Sequence, residues 1–260
     1  REGVTLYVLL LACLQVLLRR LSGQDEVILG TLTSGRGEPR FADTVGYFVN
    51  PVVLRSEVSG HTPFTALLTR VRGQALQAME HQDFPFPLVV ERIQPRRDPS
   101  RSTIFQVLFV QQKAQSSHSP DAIQQAQPSG AELRLEPFPF PQMEGQFDLT
   151  LQIADAESLG AVLRYSTALF ERDSVARMAG QFVELLRAVC ATPSARVDAL
   201  VPVPAAEARL LAEWNDTATP FPEDACVHEL IDEQARRTPD AVAVVCEGAR
   251  WTYREVNARA

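Results

Sequence analysis

Residues 4–18 (VTLYVLLLACLQVLL) carry no charge and are apolar on nearly every side of a helix. Such a segment has few homes. A membrane span needs about 20 apolar residues, and this run is shorter. A signal peptide places its basic residues before the apolar stretch, whereas Arg19 and Arg20 follow it here. The reading that remains is a helix buried inside a sizeable core, with basic side chains in its last turn complementing the helix dipole. A chain of 260 residues is long enough to build that core. The expectation is a cytoplasmic protein with no membrane partner.

Downstream, residues 26–33 (EVILGTLT) form a β-rich run, and residues 34–40 (SGRGEPR) form a loop. A second strand is predicted over 48–55, where Pro51 cannot donate to a ladder and implies an edge or a bulge. Thr62 and Pro63 read as an N-cap and first helical position. Phe64, Leu67, Leu68, Val71, Ala75 and Met79 then follow at helical spacing. A short helix over 86–93 ends at Pro95, and residues 104–111 (IFQVLFVQ) have the continuous apolarity of a buried central strand. Residues 113–130, rich in Gln, Ser and Pro, read as a mobile loop, and residues 133–141 continue extended. Two strands are expected at 147–154 and 159–166, with a turn near 155–158. Asp173 is placed to cap a helix with Val175, Met178, Phe182, Leu185, Leu186 and Val189 on one face, closed by Pro193. Interleaved strands and helices suggest an α/β mixed-sheet sandwich.

A second unit is expected beyond Leu200. Residues 201–207 mark the boundary, 209–215 a short helix and 217–224 (TATPFPED) a linker. A helix over 227–237 and a strand over 241–246 follow. Thr252 and Glu255 are spaced as a capping box, with Trp251 available to staple onto Val256. The sequence starts at Arg1 rather than Met and stops inside this last helix, so both ends read as cuts in something longer. The 18 prolines, above the usual share of about 5%, concentrate in the loop and linker regions.

Charge narrows the function. A net charge of −7 without any Lys/Arg block argues against nucleic acid as a partner. The cysteines (Cys13, Cys190, Cys226, Cys246) form no C-x-x-C pair, so free, mostly buried thiols are expected. His61, His81, His118 and His228 show no zinc spacing, so no metal site is expected. Gly35-Arg36-Gly37 belongs neither to a P-loop nor to a dinucleotide fingerprint, and Ser34 is in no nucleophile elbow. His81-Gln82-Asp83 admits two readings: a general base with an orienting carboxylate, or a turn closing the preceding helix with His81 bonded to backbone. Arg96-Arg97-Asp98 with Ser100-Arg101 reads as a solvated turn with internal ion pairs, or as a phosphate contact through Arg97 and Arg101.

Three motifs then occur in order. Val45-Gly46-Tyr47-Phe48-Val49-Asn50, running on to Arg55, resembles the V-G-x-F-V-N motif of the condensation domains of nonribosomal peptide synthetases. His81-Gln82-Asp83-Phe84-Pro85-Phe86 resembles that family's H-Q-D-x-P-F motif, and Arg97-Asp98-Pro99-Ser100-Arg101-Ser102 its R-D-x-S-R-N motif. The resemblance covers residues 1–200. In the tail, Trp214-Asn215-Asp216-Thr217, His228-Glu229-Leu230, Pro239-Asp240-Ala241-Val242 and Trp251-Thr252-Tyr253-Arg254-Glu255-Val256 resemble the linker and opening motif of an adenylation domain.

The resemblance implies a chloramphenicol-acetyltransferase-like sandwich. Residues 1–200 would be the C-terminal lobe of a condensation domain, 201–225 a linker, and 226–260 the start of an AMP-forming adenylation domain. It implies joining of a carrier-bound acyl or peptidyl thioester to a carrier-bound aminoacyl acceptor. Its partners would be upstream and downstream peptidyl carrier domains bearing phosphopantetheine, and the rest of the synthetase. ATP and Mg would serve the complete adenylation domain.

The family's His-His-x-x-x-Asp-Gly signature would lie before Arg1, so no catalytic residue is assigned in this chain. Asn50 is expected to support the active site, or else to satisfy backbone at a strand end. Gly46, Phe48, Arg55, His81, Gln82, Asp83, Arg97, Asp98 and Arg101 are expected to be mainly structural, and Thr252, Tyr253 and Glu255 to open the adenylation fold. Pro87, where the family often has Glu, and Ser102-Thr103, in place of Asn-Pro, depart from the pattern. The chain alone is expected to be inactive. The alternatives are a non-catalytic carrier-docking module, or a condensation relative performing esterification or cyclisation.

Overall fold

Helix α1 (Leu6–Ser22) has every side chain from residue 10 to 17 buried, so the fold is built around it. Thr5 caps it by accepting from the Val8 N–H at 3.3 Å, and Gly23, at φ 71°, turns the chain out with its N–H on the Arg19 carbonyl. That left-handed position suits a residue without Cβ. Arg19 pairs with Asp25 at 2.8 Å, and Arg20 donates to the Leu200 carbonyl at 3.2 Å. The computed structural model describes residues 3–41, 43–94, 98, 100–113, 145–155, 159–200, 203–220, 222 and 224–260. Arg97 and the segments read as a mobile loop and an extended run lie outside them, apart from Lys113. Among the described residues, no helix is long and apolar enough to cross a membrane.

The chain divides into two compact units, Arg1–Ala208 and Arg209–Ala260. The first holds a five-stranded mixed sheet in the order β2-β1-β3-β4-β5, made of β1 (Glu26–Thr33), β2 (Asn50–Glu57), β3 (Val107–Lys113), β4 (Leu149–Asp155) and β5 (Leu159–Tyr165). The outer pairs are antiparallel, while β3 runs parallel to both β1 and β4. The apolar run at 104–111 thus becomes the central strand, starting three residues later than its hydrophobicity suggests.

Helices α1, α2 (Phe64–Glu80) and α4 (Arg172–Ala191) contribute to the main core with one face of the sheet. Phe64, Leu67 and Val71 join Leu29, Leu54, Phe109 and Leu151 there, along with Phe182 and Leu185. A smaller apolar cluster joins Phe105, Leu108 and Val110 to Val53, Phe147 and Phe86 of α3 (Phe86–Ile93). Gly30 makes room for it, because a Cβ there would stand 2.1 Å from the Phe105 ring. A polar thread crosses the main core: Gln15 Nε2 donates to Ser56 Oγ at 2.8 Å, and Ser56 Oγ donates to Gln74 Oε1 at 2.6 Å.

Several local expectations are corrected. β2 starts at Asn50 rather than Phe48, while Pro51 lies on an edge strand as its missing N–H implies, in register with Leu32. The N-cap of α2 is Pro63, with no side-chain cap; Thr62 instead offers its carbonyl to the Val197 N–H at 3.0 Å. Glu171 occupies the N-cap of α4, so Asp173 acts from within the first turn, where its charge suits the helix dipole. Of the four free thiols only Cys13 is buried; Cys190, Cys226 and Cys246 are exposed. Spacing carried no information about exposure at those three sites.

Helix α5 (Ala205–Asn215) straddles the division between the units. The second unit contains α6 (Val227–Arg237), an antiparallel hairpin of β6 (Val242–Cys246) and β7 (Ala249–Thr252), and α7 (Tyr253–Arg259). Thr252 and Glu255 form the expected capping box. Trp251 carries the Arg259 guanidinium 3.9 Å above its ring.

Candidate functional site

Three segments meet at one end of the β1–β2 pair: the turn after β1, the run leading into β2, and the turn between α2 and α3. Asn50 joins two of them. As the first residue of β2 it pairs with Thr33, whose hydroxyl donates to the Asn50 carbonyl at 3.2 Å. Its side chain reaches across to the next turn. Nδ2 donates to the carbonyls of Gln82 at 2.8 Å and Phe84 at 2.9 Å, and Oδ1 accepts from the Phe86 N–H at 3.0 Å. One primary amide thus satisfies three backbone groups that the short 81–86 turn leaves open. Such a use needs both its donors and its acceptor.

The 81–86 turn is also closed locally. The His81 N–H donates to the Ala78 carbonyl, and the Phe84 N–H to the His81 carbonyl at 3.1 Å. The backbone over His81-Gln82-Asp83 is a turn that closes α2. The Gln82 carbonyl, rather than its side chain, receives Asn50. Asp83 Oδ1 faces the turn after β1, lying 4.0 Å from where Gly37 would carry a Cβ.

Beneath this turn is an apolar groove of about 390 Å³, lined by Pro51, Val52, Val53, Ala78, His81, Phe84, Phe86 and Val89. His81 contributes to its wall. Phe86 is half-buried and packs its ring 5.6 Å from Phe105, which stacks on Phe147 at 5.1 Å.

Between β1 and β2 the chain is organised by a residue that spacing alone passed over. Arg36 Nη1 donates to the carbonyls of Phe41 and of Thr44 (2.7 Å), and Nη2 donates to that of Gly46 at 3.3 Å. Its Cζ stands 4.4 Å over the Phe48 ring. Gly35, at φ 62°, lets the Phe48 carbonyl approach to 2.0 Å of where a Cβ would be. The only legible signal was an Arg flanked by two glycines, a pattern that tight backbone folding around a guanidinium shares with many loops.

The remaining motif residues lie apart from this cluster. Arg55 of β2 pairs with Glu26 of β1 at 2.6 Å, and the Arg55 hydrogen bond holds the Glu26 carboxyl below its usual range. Asp98 accepts from the Ser100 hydroxyl at 2.6 Å and backbone N–H at 3.0 Å, and pairs with Arg101 at 3.0 Å. These bonds, the Ser100 pair foremost, lower the Asp98 pKa. Arg101 thus takes part in the internal ion pair of a solvated turn.

In the second unit, the Tyr253 N–H donates to the Ala241 carbonyl at 3.0 Å and the Arg254 N–H to the Pro239 carbonyl at 2.9 Å. The Arg254 side chain pairs with Asp240, also at 2.9 Å. The two tail motifs at 239–242 and 251–256 are therefore bound to one another. Among the described residues, no group of three His, Cys, Asp or Glu is arranged to hold a metal ion.

The chain is 36% identical over 262 residues to malpibaldin synthetase of Mortierella alpina, an alignment that covers all of this chain and 5% of that protein. It is also 36% identical over 259 residues to tyrocidine synthase 3 of Brevibacillus parabrevis, covering 98% of this chain and 4% of that protein. The chain therefore spans only a small part of the curated relatives it matches. Among solved structures, a holo four-domain nonribosomal peptide synthetase bound to AMP and glycine superposes with a TM-score of 0.74 at 25% identity, covering 97% of this chain and 20% of that one. The X-domain from teicoplanin biosynthesis superposes with a TM-score of 0.64 at 25% identity, covering 75% of this chain and 44% of that one. The family profile described as "Condensation domain" matches residues 1–212, and the chain belongs to the condensation-domain family of nonribosomal peptide synthetases.

Proposed function

We propose that this chain supplies part of a peptide-bond-forming condensation site, followed by the opening of an adenylation domain. In the reaction, the amine of a carrier-bound aminoacyl acceptor attacks the thioester carbonyl of a carrier-bound acyl or peptidyl donor. The C–N bond forms, the C–S bond breaks, and the donor's phosphopantetheine arm leaves as a thiol with the proton given up by the amine. The demand on the protein is to bring two tethered reactants together in one orientation. The observation that carries this reading is the Asn50 clamp, which ties the motif ending at Asn50 to the motif starting at His81 by three hydrogen bonds.

Within this proposal residues 1–200 are condensation-domain lobe, 201–225 linker, and 226–260 adenylation start, in a cytoplasmic synthetase. Asn50 shapes the site, and Gly46, Phe48, His81, Gln82 and Asp83 hold the surrounding loops. Thr252, Tyr253 and Glu255 begin the second domain. ATP and Mg belong to the complete adenylation domain. The alignment of a synthetase relative across the whole chain, beyond residue 212, supports the assignment of the tail.

The test is a condensation assay with donor and acceptor carriers loaded with their thioesters, run on the complete module and on residues 1–260 alone. Amide product from the module and none from the chain alone is expected. Carrier binding without product in the module would favour a docking role, an ester product would reassign the reaction, and product from the chain alone would overturn its predicted inactivity.

A further inference from the structure

Phe86, the first residue of α3, is fastened at two points. Its N–H donates to Asn50 Oδ1 at 3.0 Å, and its half-buried ring packs 5.6 Å from the ring of Phe105. A single hydrogen bond at that N–H still lets the helix start pivot, and the ring contact removes that freedom. Phe105 in turn is held by the sheet. It is 1% exposed, stacks on Phe147 at 5.1 Å with the two planes 18° apart, and fills the space that the missing Cβ of Gly30 leaves on β1. Aromatic pairs at about 4.5–7 Å prefer such offset-stacked and tilted arrangements, so the three rings hold one geometry. Phe147 lies just before β4. The start of α3 is therefore referenced to β1 and β4 through its ring, as well as to β2 through Asn50.

We propose that Phe105 is a positioning residue for the condensation reaction: by holding the Phe86 ring it sets how the 81–86 turn, clamped by Asn50, stands beside the reactants. This rests on the functional reading above. Phe105 lies inside the small apolar cluster and acts only through Phe86, so its effect is on alignment. A leucine would keep the site apolar, but its branched side chain has no flat face to stack between Phe86 and Phe147.

The consequence is a partition. A donor thioester held in register is captured by the acceptor amine, whereas one held out of register is left to water. A residue that only maintained the folded population would scale amide product and hydrolysed donor together. In the complete module, Phe105→Leu is expected to lower the ratio of amide product to hydrolysed donor by about tenfold or more. Phe182→Leu makes the same change in the main core, away from this cluster, and should keep the wild-type ratio. Thermal melting of each variant checks that it is folded. If Phe105→Leu is not, Phe86→Leu, which breaks the same ring contact from its half-buried side, decides in its place. An unchanged ratio in a module that condenses, or an equal fall in Phe182→Leu, overturns the positioning role and leaves the functional reading standing. If the wild-type module forms no amide at all, both fall.

Discussion

The Oδ1 of Asn50 accepts from the Phe86 N–H at 3.0 Å, across 36 residues of sequence, and so fixes the first residue of helix α3 to the first residue of strand β2. The same amide holds two carbonyls of the intervening turn. A single polar side chain thus replaces the hydrophobic packing that a turn of this length cannot build for itself.

Asn50→Ala leaves the Gln82 and Phe84 carbonyls and the Phe86 N–H without their partner. The expected loss of stability is about 1–3 kcal/mol, read by urea unfolding. Asn50→Asp should cost more at neutral pH, because it removes both donors and sets a negative carboxylate against two carbonyl oxygens. If the aspartate variant is the more stable of the two, the three hydrogen bonds are not what holds the turn.

Gly30 is the position on β1 that the Phe105 ring occupies. Gly30→Ala places a methyl 2.1 Å from the Phe105 Cε2, so either the ring or the strand must shift. Overpacking of this kind costs about 1–3 kcal/mol. Phe105→Leu in the same chain should recover part of that loss. An additive double variant would mean that the clash is relieved elsewhere.

Within the main core, Gln15 is fully buried and its Oε1 has no hydrogen-bond partner among the described residues. Gln15→Met removes that acceptor at similar volume and leaves the bond from the Ser56 hydroxyl to Gln74 intact, so stability should stay within about 1 kcal/mol of wild type. Ser56→Ala instead strands the buried amide of Gln15, and a loss of about 1–3 kcal/mol is expected in the same denaturant series. The opposite order of the two variants would refute this reading of the thread.

Glu255 accepts from the Thr252 N–H at 2.8 Å and hydroxyl at 3.0 Å, and these bonds hold its pKa below the ordinary value of 4.5. A carboxylate whose folded pKa is depressed contributes fully above its unfolded pKa, and the contribution disappears as pH falls through the folded value. Amide exchange in α7 should therefore speed up as pH drops below about 4.5, beyond the intrinsic pH dependence of exchange. Glu255→Gln should abolish that extra acid-side acceleration. An unchanged profile in the glutamine variant would remove Glu255 as its source.

Much of this was legible in the residues themselves. The uncharged, nearly all-apolar run 4–18 read as a buried helix, and the helical stripe from Phe64 to Ala75 is the face that packs. Periodicity reports burial, and burial is local to an element. Thr252 and Glu255 were readable for the same reason, since a capping box closes within four residues. Boundaries were less readable. Thr62 and Asp173 have cap chemistry, but neither caps: the chain before each helix is held by other contacts, in one case the Val197 N–H on the Thr62 carbonyl.

The sequence by itself determined the order of helices and strands as far as β6, the strand that would be central, and, through three ordered motifs, the family; the strand β7 was not read from it. Only the tertiary structure decided that Asn50 commits its whole amide to the backbone of the 82–86 turn, that Gly30 is empty for the sake of Phe105, and that Arg36 organises the loop before β2. Each of these joins residues distant in sequence or depends on where a side chain points, and no pattern along the chain records either. Hydrophobic pattern chose the elements, while directional bonds across 5 to 36 residues set the geometry of the site.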